Sequence, residues 1–97
     1  MRRQSEQRFD SVWDALEESP ADAANMKARS ALMIAIRDVV DDWKLTQAEA
    51  AKRLGVTQPR MNDLLRGRID KFSLDALMLL ATAVGLTVEW RVVKPAA

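Results

Sequence analysis

The sequence predicts a mainly α fold: five helices in series, then one C-terminal β-strand that pairs between subunits. Three observations lead there. Apolar residues recur at spacings of three and four along most of the chain, the period of a helix with one buried face. Gly55, Gly67 and Gly85 each fall just after such a stretch, where a left-handed residue ends a helix. After Gly85 the apolar period changes to two, the repeat of a half-buried strand.

The elements follow in order. Residues 1–8 are polar and unpatterned and read as a flexible tail. Phe9, Val12, Trp13 and Leu16 then form one apolar stripe, with Ser11 as the cap and Asp14 three residues later. Asp10, Asp14, Glu17 and Glu18 occupy the opposite face. The second helix opens at Ser19-Pro20-Ala21-Asp22, with Ser at the cap, Pro at the first position and an acid in the first turn. It runs uninterrupted to Trp43, with Leu32, Ile36, Val39 and Trp43 on its buried face and Met33 and Val40 beside it.

Two short helices come next. Thr46-Gln47-Ala48-Glu49 is a capping box, flanked by Leu45 and Ala50 at staple positions. That helix ends at Leu54, before Gly55. Thr57 caps the following one, where Pro59 in the first turn costs no intrahelical bond. Val56 and Met61 form its staple and Gly67 its stop. The fifth helix starts at Ser73, with Phe72 and Leu77 as staple, and stops at Gly85. The strand alternates Leu86, Val88, Trp90 and Val92 with Thr87, Glu89, Arg91 and Val93, and Pro95 ends it. The sequence holds no second strand pattern, so an unpaired edge would remain unless a second copy supplied its own.

Ninety-seven residues suit one domain with a thin core. It divides into an acidic arm over 1–18, a helical core over 19–85 and a dimerisation strand over 86–94. No stretch reads as a signal peptide or a bilayer span, so a soluble cytoplasmic, nucleoid-associated protein is expected, without membrane contact. Net charge is only +1, but it is unevenly spread. Residues 1–26 carry three basic against six acidic side chains, and residues 44–71 carry seven basic against three acidic. The positive charge therefore lies where a surface facing nucleic acid would need it. An acidic head before a basic middle suggests two different partners.

The two short helices and their glycine turn form the helix-turn-helix unit that reads DNA. Ala50 or Ala51 is the small residue needed where the helices touch, and Val56, Met61, Leu64 and Leu65 lock the second helix. That arrangement leaves Pro59, Asn62, Asp63 and Arg66 outward, Arg60 on the flank and Gln58 free at the N-terminus, within reach of base edges and phosphates.

The segment LTQAEAAKRLGVTQPRMNDLLRG, Leu45 to Gly67, resembles the Cro/cI-type (XRE) repressor family. The similarity extends through RGRIDKFSLDALMLLATAVGLTVEWRVV and upstream to FDSVWDAL, and over that length it resembles HigA-type antitoxins. The resemblance implies a Cro/cI-like domain, operator DNA as ligand, a homodimer, and a RelE/HigB-like toxin, a small basic ribonuclease, as protein partner. Carried over by position, Gln58, Pro59, Arg60, Asn62 and Asp63 would meet bases. Gln58 matches the family's regular base reader and suits adenine, whereas Pro59 departs from the pattern because its side chain cannot hydrogen-bond. Gln47, Thr57, Arg66, Arg68 and Lys71 would meet phosphates. Arg60 and Arg66 also lie three residues from Asp63, a spacing that allows plain helix ion pairs. Leu86, Val88, Trp90 and Val92 are the dimerisation set. Phe9, Val12, Trp13 and Leu16 are the toxin-binding candidates, with Trp13 as aromatic anchor; docking of this stripe on the chain's own body is the alternative.

With no His and no Cys, ordinary zinc sites and His-based triads are unavailable. No glycine loop cradles a phosphate, so no enzyme, metal or cofactor is expected. A solitary regulator without a toxin is the alternative to an antitoxin. A protein-interaction module that has lost DNA affinity is a third reading, and the basic segment 44–71 argues against it.

Overall fold

A computed structural model describes residues 19–95. The first helix expected from the sequence, with Phe9, Val12, Trp13 and Leu16, lies outside the described residues. Four α-helices are present among the described residues: α1 (Pro20–Asp42), α2 (Gln47–Leu54), α3 (Gln58–Leu65) and α4 (Leu74–Ala83), with a single 3₁₀ turn at Ile69–Lys71 before α4.

The helix starts follow their local chemistry. The Ser19 hydroxyl accepts from the Asp22 N–H at 3.0 Å, with Pro20 at the first position, and so begins α1. Thr57 accepts from the Arg60 N–H and Ser73 from the Ala76 N–H in the same way, each satisfying one orphan donor of a helix end. The helix stops share one pattern. The N–H of Gly55, Gly67 and Gly85 reaches the carbonyl three residues back, on Lys52, Leu64 and Thr82. The next N–H, of Val56, Arg68 and Leu86, reaches the carbonyl five back, on Ala51, Asp63 and Ala81. This paired closure needs a left-handed residue, and Gly55 adopts φ +80° there.

α1 is the backbone of the assembly. It packs along α4 and also touches α3 and the 3₁₀ turn, while α2 packs on α3. Its inward face is Leu32, Met33, Ile36 and Val40. Val39 and Trp43, expected on that face, are half-buried. Trp43 instead packs at the core's edge, with the Arg53 guanidinium 4.1 Å from its ring centroid. Ala50, Ala51, Leu54, Met61, Leu64, Phe72, Leu77, Leu80 and Ala81 complete a core with no buried polar group among the described residues. Each large side chain fully enclosed there contributes about 1.5–3 kcal/mol.

Two expectations need correction. The staple between Leu45 and Ala50 is incomplete, because Leu45 stays 39% exposed while Ala50 is buried; the capping box holds that helix start instead. The C-terminal segment forms no strand among the described residues. A ladder needs a neighbour, and beyond the Leu86 N–H no backbone hydrogen bond is made by this segment within the described residues. Leu86 and Val88 still pack half-buried against the core, whereas Trp90 is 54% and Val92 98% exposed. No helix among the described residues is long and apolar enough to cross a membrane.

Candidate nucleic-acid interface

The geometry of α2 and α3 is set by small residues and one turn. Ala50 and Ala51, each 2% exposed, allow close contact between the helices, and both are used where the sequence required only one. Met61 and Leu64 anchor α3 in the core, with Val56 and Leu65 packed beside them. The expected locking set is thus the observed one.

A cross-link that the sequence did not announce joins the two helix starts. The Gln47 amide donates to the Gln58 carbonyl at 3.3 Å, tying the first residue of α2 to the first of α3. Two helix N-termini, with their free N–H groups and partial positive charge, therefore share one edge, an arrangement suited to anions. The capping box of α2 adds to the rigidity of this edge. Glu49 accepts from the Thr46 N–H and hydroxyl, each at 3.0 Å, and its own N–H donates to the Thr46 oxygen at 3.2 Å. These bonds, that to the Thr46 backbone foremost, hold the Glu49 carboxyl below the usual glutamate value.

The expected contact residues separate into three groups. Gln58, Pro59 and Arg66 are exposed, as are Gln47, Thr57 and Lys71, and all lie on or next to α2, α3 and the 3₁₀ turn. Asn62 and Asp63 are half-buried on α3. Asp63 lies 3.7 Å from Arg68, so its ion-pair partner is neither Arg60 nor Arg66. With Arg68 half in water, that pair is weak and open to exchange.

Arg60 forms the third group. Its Nη1 donates to the Lys71 carbonyl at 2.8 Å, and its guanidinium lies 4.1 Å from the Phe72 ring centroid. Its side chain is therefore turned onto the link to α4. Lys44, Lys52, Arg53, Arg66, Arg68 and Lys71 keep exposed positions, so the segment's excess of positive charge is available at the surface.

One positioning residue escaped sequence reasoning. Arg29 on α1 donates Nε to the Asn25 side chain at 2.7 Å and Nη1 to the carbonyls of Ile69 and Phe72, at 3.1 and 3.3 Å. It thereby fastens the α3–α4 link to α1. The only local signal is Asn25 one turn earlier in an alanine-rich stretch, since its main partners lie 40 and 43 residues away.

Fold and site together define a helix-turn-helix protein. A helix-turn-helix domain family matches residues 15–93. A solved chain named as an XRE-family transcriptional regulator is 35% identical, with a TM-score of 0.69, over 76% of this chain and 83% of that one. No curated protein matches. The chain belongs to the XRE-type helix-turn-helix family.

Proposed function

We propose that the chain is a sequence-specific DNA-binding repressor that acts as a homodimer on a palindromic operator. The observation that carries this reading is the paired start of α2 and α3, which leaves Gln58 exposed beside Pro59, with Asn62 one turn further along α3. Gln58 reads a base, Asn62 and Asp63 lie along the same helix, and Gln47, Thr57, Arg66, Arg68 and Lys71 hold phosphates. Arg60 positions α3 in the free protein and reaches a base only by leaving Phe72. The name of the solved relative supports a regulatory role.

Half-sites should lie about one helical turn apart. Gln58→Ala should weaken operator binding by about 1–3 kcal/mol and relax preference at one base pair. Arg66→Ala should weaken all sequences alike and reduce the salt slope by about 1. Binding-site selection with the wild-type and variant proteins measures both. An unchanged base preference in Gln58→Ala would remove α3 from the groove.

We further propose that the repressor is a HigA-type antitoxin whose acidic arm engages a RelE/HigB-like toxin. Six acidic residues within positions 1–26 would complement a basic ribonuclease and speed association with it. Co-expression with a toxin encoded in the neighbouring reading frame tests this, with growth as readout.

A further inference from the structure

Several exposed apolar features are left over from the fold. Leu79 on α4 is 74% exposed, Trp90 54%, Val92 98% and Val93 65%. Leu79 lines an open groove of about 540 Å³ with Asp75, Met78, Thr82 and Val88. The C-terminal segment has a period of two at its start, with Leu86 and Val88 half-buried and Thr87 and Glu89 exposed, as in a strand lying on a surface.

From these facts we infer the register of the subunit contact: two copies pair residues 86–94 antiparallel, with Trp90 on the two-fold axis. The inference rests on the homodimer reading above and adds to it which residue faces which. In an antiparallel pair, directly opposed side chains point to the same face. A two-fold axis must therefore pass through a residue position for the apolar sets to match. An axis at Glu89 or Arg91 sets that residue's charge against its own copy, which is destabilising. An axis at Val92 brings Pro95 opposite Glu89, where a ladder donor is missing, and an axis at Val88 leaves Arg91 opposite Gly85.

Only the Trp90 axis sets unlike charges against each other, and it leaves one mismatch, Leu86 opposite Lys94 at the end of the ladder. Glu89 then faces Arg91 of the second copy, twice by symmetry, and Val88 faces Val92. The two ladder stops, Gly85 and Pro95, also fall opposite each other, so the paired segment ends where the backbone chemistry changes. Val88 lines the groove beside Leu79, so Val92 of the second copy lands against that groove. One contact thus covers the most exposed large apolar side chains of the tail and of α4, Val92 and Leu79. Packing on the helices gives the ribbon the apolar support that two strands alone lack.

The test uses full-length protein, sedimentation and native mass spectrometry. Glu89→Arg and Arg91→Glu should each raise the dimer dissociation constant about tenfold or more, since two attractive pairs become repulsive. The double variant should recover the wild-type value. An equimolar mixture of the two single variants should form heterodimers in preference to homodimers. The chain has no cysteine, so Trp90→Cys should cross-link to itself on mild oxidation. Glu89→Cys should not, because its two copies are too far apart for a disulfide. A dimer that tolerates both charge reversals, or cross-links through Glu89→Cys and not Trp90→Cys, overturns the register. A monomeric wild-type chain overturns the homodimer reading itself.

Discussion

Lys44 is the non-glycine residue with a left-handed backbone among the described residues, at φ +55°. It lies between α1 and α2, and its side chain is exposed. Holding a non-glycine residue there costs roughly 1–2 kcal/mol, and glycine's greater freedom in the unfolded chain takes back about half of any relief. Lys44→Gly is expected to raise stability by about 0.5–1 kcal/mol, read as a higher urea midpoint with unchanged slope. Arg60 makes the opposite case, a side chain whose structural work is hidden by its position in the second helix of the helix-turn-helix. Losing its bond to the Lys71 carbonyl and its seat on Phe72 should make Arg60→Ala about 1–2 kcal/mol less stable. Arg60→Lys should recover only part of that, because an ammonium lacks the planar face that stacks. A residue that served only to read bases would leave the urea midpoint where it was.

Helix boundaries were the most legible part of this chain. Ser19, Thr46, Thr57 and Ser73 cap as the sequence indicates, and the three glycines stop α2, α3 and α4. Capping succeeds as a sequence signal because both partners lie within three to five residues of each other. It also carries a pH dependence in α2. The Glu49 carboxyl is held below its ordinary value in the folded chain, so its contribution is fully present above the unfolded glutamate value. That contribution is lost as pH falls from there through the folded value. Glu49→Gln keeps an acceptor for the Thr46 N–H and removes the titration. Its stability should therefore fall less steeply across that acid range, as measured by urea unfolding at a series of pH values. An equally steep fall would assign the acid limb to other carboxylates.

At the scale of the molecule, the core and the proposed DNA-facing edge use residues within 19–95, and the proposed toxin contact uses residues before them. Deleting residues 1–18 should leave urea stability and operator affinity close to wild type while reducing protection against the toxin. Equal protection by the full and shortened chains would move that contact elsewhere, most simply to the first turns of α1, where residues 21–27 are all exposed. Val92 is 98% and Leu79 74% exposed, and the proposed register would cover both with a second copy.

By itself the sequence determined where helices begin and end, which residues lock α3, and that the charge of residues 44–71 belongs at a surface. These depend on contacts over a few residues or on a regular period. Only the tertiary structure decided which arginines are free. Arg29 is spent on carbonyls about 40 residues away, Arg60 on Lys71 and Phe72, and Arg68 leans toward Asp63, while Arg66 stays exposed. A long flexible cation can reach many partners, and the fold chooses among them by bringing distant carbonyls and rings within its reach.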